Sequence, residues 1–320
     1  MKRFFGILIL MLALTGCDDG NLILETINFE DVTTSTCGKN NIIYKLKDKE
    51  ALLLEIPLSS FVNEPTPIGK PIELAINSTN RVFYRFYDGK VSSDNICETI
   101  QPATPIVIDQ WSTLGGTIQI TTTAIKSTNT TTNSTKITGY NHNIIFKNIT
   151  FNKTNGTQVY DSFTFGDYTT TITPLPLDFN TTTERCTSNS TNLLYNFKGN
   201  EALTLDINPD LLVNTVTPIN SPRIGLIGTS SNMLTYRLYS GLLSTSYFCN
   251  TTLPSTPIIS QEWVGIAGVT ANSGIIEVST TTNGTNGFKH TIVLKKTSLK
   301  KGNNDFYLGD NFIYGELFTN

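Results

Sequence analysis

YRFYDGKVSSDNIC, running from Tyr84 to Cys97, returns as YRLYSGLLSTSYFC from Tyr236 to Cys249, 152 residues later. Tyr, Arg, Tyr, Gly, Ser and Cys keep their places, and apolar or aromatic residues fill several of the others. A match of this length within one chain means that the architecture is built twice. Upstream, NIIYKLKDKEALLLEI (Asn41–Ile56) answers NLLYNFKGNEALTLDI (Asn192–Ile207). Each reads as two strands joined at a polar turn, Lys47–Lys49 or Lys198–Asn200. Thr66-Pro67-Ile68 with Pro71 answers Thr217-Pro218-Ile219 with Pro222, and these prolines mark a crossing loop or a sheet edge. Downstream, Pro102 and Trp111 answer Pro254 and Trp263.

Beyond the tryptophans the spacing drifts. The offset is 158 at Gly116 and Gly274, 148 at His142 and His290, and 143 where FTFGD (Phe163–Asp167) meets FYLGD (Phe306–Asp310). Length changes belong in loops, so the Thr/Asn-rich surplus Ala124–Lys136 reads as a long, exposed hairpin tip. Thr, Asn, Ile and aromatics are plentiful, and Arg81–Tyr87, Gly116–Thr122 and Gly274–Thr280 alternate with period two. No window combines a helical stripe with a cap and a glycine stop. The expectation is an all-β chain of two tandem, homologous β-sandwich repeats of immunoglobulin-like type, 28–173 and 174–320, with a jelly roll as the alternative.

Five cysteines divide into Cys17 and two matched pairs. Duplication favours Cys37–Cys97 and Cys186–Cys249, since each copy closed its own bridge before fusion. The absence of any CxxC spacing makes a metal reading poor, and no metal or other cofactor is expected.

Met1-Lys2-Arg3 precedes an apolar run, Phe4–Leu14, too short to span a bilayer, which takes about 20 residues. It ends in Leu14-Thr15-Gly16-Cys17, which resembles the lipobox of bacterial lipoproteins. That resemblance implies cleavage after residue 16, lipid on Cys17 and a lipidated tether over 17–27. The alternative is an ordinary signal peptide, or an uncleaved anchor with Cys17 incidental. The Cys-Asp-Asp-Gly start and Thr/Asn-rich style also resemble uncharacterised envelope lipoproteins of Bacteroidota. The membrane, reached through the lipid, is thus one expected partner, with the outer membrane preferred to the inner. Without residues 1–16 the chain keeps 21 basic and 26 acidic residues, a formal charge of −5. This balance argues against nucleic acid, whose phosphates need a clustered positive surface.

Three sets of residues are candidates for chemistry, each with a structural alternative. His142 and His290, the only histidines, are either one ligand-binding imidazole per copy or half-buried side chains bonded locally; the second reading is favoured. Arg85 and Arg237 read as ion-pair partners of Glu50 and Glu201, or as forks for a carboxylate or sugar hydroxyl. Trp111 and Trp263 read as core, or as stacking platforms for glycan rings. Neither a G-x-S-x-G elbow, nor a P-loop, nor HExxH occurs, so no catalytic residue is assigned. The expected role is non-enzymatic, structural or interacting with a protein or glycan. The alternative is a surface glycan binder, similar in plan to the tandem-sandwich proteins of starch-utilisation systems.

Overall fold

The computed structural model describes residues 26–320 apart from 39, 187–191, 251 and 253, and it is all-β. The leader and Cys17 lie outside the described residues. In the first half the strands are β1 (Ser35–Thr36), β2 (Ile42–Lys47), β3 (Glu50–Glu55), β4 (Ile72–Ala75), β5 (Arg81–Tyr87), β6 (Val107–Thr128), β7 (Thr135–Lys153) and β8 (Gly156–Thr171). In the second they are β9 (Glu184–Arg185), β10 (Leu193–Lys198), β11 (Glu201–Asp206), β12 (Arg223–Leu226), β13 (Met233–Tyr239) and β14 (Ile259–Gly265). They continue with β15 (Ile275–Asn283), β16 (Gly287–Lys295), β17 (Ser298–Lys301), β18 (Asn304–Tyr307) and β19 (Asn311–Thr319). Strands pair antiparallel throughout.

The second half has two sheets, β18-β17-β14-β13-β11-β10-β9 and β12-β15-β16-β19. Leu203, Leu205, Tyr236 and Trp263 from the first meet Ile276, Val278, Ile292 and Tyr314 from the second in one core. The first half repeats this order with three strands run together: β6 corresponds to β14 plus β15, β7 to β16 plus β17, and β8 to β18 plus β19. Its eight strands therefore form one connected sheet, in which β6 passes from β5 at Phe83–Tyr87 to β4 at Ile72–Ala75. Bulges around Gly115 and Gly116 turn β6 between the layers. Gly116 has φ +131°, and a Cβ there would lie 2.9 Å from the Ile149 backbone. In the second half, residues 266–274 interrupt the strand at the same place, which absorbs the rise in offset to 158.

β3 is buried on both faces. Leu52 and Leu54 enter the main core, while Ala51 and Leu53 face a smaller one with Tyr44, Tyr87, Val91 and Ile96. This outer core is covered by the end of the opening motif, and that end includes one helical turn, α1 (Asp94–Cys97), where no helix was expected. A 3-10 turn, Thr245–Tyr247, replaces it in the second half. Bridges Cys37–Cys97 and Cys186–Cys249 pin these covers, with Cα–Cα distances of 5.3 and 5.2 Å. Closing loops of 60 and 63 residues, each contributes roughly 4 kcal/mol on the chain-entropy model.

Two expectations are corrected. The match of FTFGD with FYLGD is replaced by Phe163–Asp167 with Phe312–Glu316, an offset of 149. Gly166 and Gly315 sit opposite Ile144 and Ile292 at equivalent bulges, both with positive φ. Each lies against matching side chains, Lys45 of β2 or Asn196 of β10. The hairpin between β6 and β7 is exposed along most of its length, as expected, but its tip also docks on the second half. Thr132 carbonyl accepts from Asp310 N–H at 3.0 Å, Asn133 Nδ2 donates to Asp310 Oδ2 at 2.7 Å, and Thr135 Oγ1 accepts from Tyr307 N–H at 2.8 Å. Nearer its base, Ile137 and Tyr140 belong to the second half's core.

Candidate functional site

Docking of the hairpin leaves a cavity of about 710 Å3 between the halves. Val62–Glu64, the base of the β6–β7 hairpin, the linker Ile172–Leu177, Trp263, Asn304 and Phe306 line it. Tyr140 Oη donates to Asn304 Oδ1 at 2.9 Å, and Asn304 Nδ2 donates to the Asn63 carbonyl at 3.2 Å, so one amide ties the halves together. Burial raises the Tyr140 phenol above its usual value; the Asn304 hydrogen bond opposes this and the nearby Glu64 charge adds to it. The phenol therefore stays protonated as a donor. Lys136 Nζ donates to the Pro176 carbonyl at 2.8 Å, and Glu64 Oε1 accepts from Asn303 N–H at 2.8 Å. Aromatic walls with amide and charged groups suit a small amphipathic molecule. Among the described residues Glu64 is the single carboxylate in the lining, which contains neither histidine.

Both histidines are fully buried rather than half-buried, and both are bonded locally. Nδ1 of His142 meets Thr122 Oγ1 at 2.9 Å, and Nε2 meets Thr170 Oγ1 at 3.1 Å. Thr170 Oγ1 donates onward to Asn63 Oδ1, so it accepts from His142, which fixes the Nε2–H tautomer by the network. In the second half Arg223 donates to Thr280 Oγ1, Thr280 meets His290 Nδ1, and Nε2 faces Thr319 Oγ1 and Asn214 Oδ1. Burial lowers the His142 pKa to about 4; His290 is also lowered, by burial first and then by the Arg223 and Arg185 charges. The threonine and asparagine partners escape sequence reading because those residue types are so common in this chain.

Glu50–Arg85 and Glu201–Arg237 are not pairs. Arg85 lies opposite Ala51 and Glu50 opposite Phe86, and directly opposed residues share a face. Glu50 and Arg85 are therefore on opposite sides of the sheet, as are Glu201 and Arg237. Arg85 Nε instead donates to Gln110 Oε1 at 2.7 Å, and Arg237 Nε pairs with Glu262 Oε2 at 2.7 Å. Glu50 accepts from Tyr84 Oη at 2.8 Å. Glu201 accepts from Tyr236 Oη and from the backbone N–H groups of Leu177 and Asp178, at 2.8 to 2.9 Å.

Trp111 and Trp263 are buried, at 1% and 5% exposure, so neither offers an open stacking face. Their indole N–H groups donate to Asp109 and Gln261, and Lys153 Nζ stands 4.1 Å from the Trp111 ring centre. Trp263 reaches the inter-half cavity, whereas Trp111 borders a smaller one of about 200 Å3. Among the described residues no three His, Cys, Asp or Glu side chains gather as a metal site. The chain matches no family model, no curated protein and no solved structure.

Proposed function

We propose that the chain is a lipid-anchored protein of the bacterial envelope. Its two tandem β-sandwich repeats, 28–173 and 174–320, are of immunoglobulin-like type and serve structure or interaction rather than catalysis. The observation that carries this reading is the use of the matched polar residues: His142, His290, Arg85, Arg237, Glu50 and Glu201 all bond to neighbours within the fold. What chemistry-bearing residues the copies share goes into holding each copy together. The anchor rests on the Leu14–Cys17 box. Cys17→Ala should abolish labelling by palmitate and move the protein from the detergent to the aqueous phase; unchanged labelling would sink the anchor. Protease treatment of intact cells distinguishes a surface from a periplasmic placement.

A second reading, glycan binding, is favoured by one observation, the inter-half cavity in which Asn63, Glu64, Gln261 and Asn304 bring hydrogen-bonding groups together beside Trp263. Its test is a glycan array probed with the fragment lacking residues 1–17. Binding that disappears in Trp263→Ala but survives in Trp111→Ala would establish it over the first.

A further inference from the structure

The two halves treat one sheet edge differently. In the second half, the extended segment 180–183 lies parallel to β19 and closes its edge: Thr183 N–H donates to the Glu316 carbonyl at 3.0 Å, and Glu316 N–H to the Thr181 carbonyl at 2.8 Å. Asn196 completes the seam by donating to the Asn180 and Tyr314 carbonyls. Thr183 Oγ1 donates to the Tyr195 carbonyl. The offset of 149 makes Asp167 the counterpart of Glu316 and Thr34 that of Thr183. Among the described residues, however, no backbone hydrogen bond joins 30–36 to β8. A cavity of about 640 Å3 lies between that segment and the β8 edge at Thr164–Thr169.

Two side chains at this slot are under-satisfied. Among the described residues Thr34 Oγ1 is buried without a hydrogen-bond partner. Lys45, where the second half has Asn196, is 3% exposed; among the described residues its ammonium donates to one acceptor, the Phe29 carbonyl, at 3.0 Å, and stands 5.7 Å from the Phe165 ring centre, which takes up none of its remaining N–H donors as a carbonyl would. Desolvation lowers the Lys45 pKa, partly opposed by the Asp167 charge. A buried ammonium with spare donors and an unpaired buried hydroxyl are both costly unless something supplies acceptors. Asp167 pairs with Asn143 one residue past the bulge of β8, as Glu316 pairs with Thr291 one residue past that of β19, so the backbone N–H and C=O of Asp167 turn away from β7 as those of Glu316 turn away from β16 towards 181–183.

We propose that the β8 edge is an acceptor for an extended segment of another polypeptide, added as a parallel strand. The second half shows the kind of occupant that fits: a short run of small hydroxyl and amide side chains, as in Asn180-Thr181-Thr182-Thr183. Its carbonyls take the free Lys45 donors, and its backbone pairs with Asp167. Glu30, Asp31 and Asp167 border the slot and disfavour an acidic segment. The inference does not depend on the lipid anchor, and it specifies a peptide for the interaction role proposed above.

The test compares equivalent amides within one molecule by hydrogen exchange, on the chain from residue 18 onward. In the free protein the amides of Thr34 and Asp167 exchange at least ~10-fold faster than those of Thr183 and Glu316. An acetylated and amidated peptide with the sequence of residues 179–183 is the probe. At concentrations up to about 5 mM it produces saturable NMR shifts along Thr164–Thr169 and slows exchange at Asp167, as expected of single-strand affinities near 1 mM or better. Lys45→Asn, which installs the residue of the second half, closes the slot from within; Asp167 becomes protected and the shifts vanish. Equal protection of the two edges in free wild-type protein would overturn the proposal. So would the absence of saturable shifts on β8, or shifts that persist unchanged in Lys45→Asn. Loss of binding in Trp263→Ala concerns the inter-half cavity and leaves this slot untouched.

Discussion

β6, β7 and β8 of the first half are continuous strands of 22, 19 and 16 residues, whereas the second half breaks each of the matching runs in two. Both arrangements carry the same core positions, so the hydrophobic pattern does not demand either. What differs is the use made of the ends. Continuity lets β6 and β7 extend past the first core into a hairpin whose base, Ile137 and Tyr140, supplies side chains to the second core. The break at 308–310, between β18 and β19, makes room for the tip. Gly309 has φ +112°, and a Cβ on it would stand 2.7 Å from the Thr132 carbonyl. The copies have thus diverged at complementary places, one by lengthening and one by interruption. An internal duplication becomes a single two-part body in this way.

The largest expected difference between the halves lies at their matched glutamates. Glu201 is 3% exposed and accepts from Tyr236 Oη and two linker N–H groups, so it fastens the entry to the second half. Glu50 is half-buried, and Thr26 and Ile27 border a cavity beside it. Removing an acceptor strands every donor that faced it, at about 1–3 kcal/mol each when buried. Glu201→Ala should cost about 4 kcal/mol and Glu50→Ala about 1 kcal/mol, read as shifts in urea unfolding. Equal losses would mean that the linker contacts carry little of the second half's stability.

The histidines offer a test of where the halves agree. Each neutral imidazole accepts from one threonine and donates to another, so protonation breaks the accepting bond and charges a dry site. The folded pKa of His142, about 4, lies below its unfolded value near 6.5. The unfolded chain therefore binds the proton first as pH falls. The stabilisation is complete above about pH 6.5 and is lost progressively towards pH 4, by up to about 3 kcal/mol in all. His142→Gln, which keeps a donor and an acceptor, should flatten the acid slope of unfolding free energy across that window. His290→Gln should act in the same direction, since its pKa is lowered too. An unchanged slope in both variants would show that neither imidazole is held neutral.

Much of the frame was legible in the residues, for reasons that separate cleanly from what was not. Alternation in Arg81–Tyr87 matches β5 residue for residue, and the polar turns at Lys47–Lys49 and Lys198–Asn200 fall where the hairpins turn. The matched cysteines gave both bridges. The Glu–Arg pairing failed because matched charges on neighbouring strands say nothing of parity until the register is known. The FTFGD match failed because Phe-x-x-Gly-Asp occurs at two places in the second half's end region in near form. What decides between them is a bulge opposite Ile292, a long-range fact. The histidines' partners are threonines and asparagines, ordinary residues here that no local pattern singles out.

The smallest effect is expected at the ion pair between the halves, Lys126 Nζ to Asp305 Oδ2 at 2.9 Å, with both side chains substantially exposed. Exposed pairs contribute about 1 kcal/mol or less, and salt screens them. The tip is held instead by the Thr132–Asp310 backbone bond, the Thr135–Tyr307 bond and the apolar base at Ile137 and Tyr140. Lys126→Ala should therefore lower the unfolding free energy by less than about 1 kcal/mol, and the difference should disappear in about 1 M salt. A loss above about 2 kcal/mol that survives salt would mean that charge, rather than the interrupted strand receiving the hairpin, joins the halves.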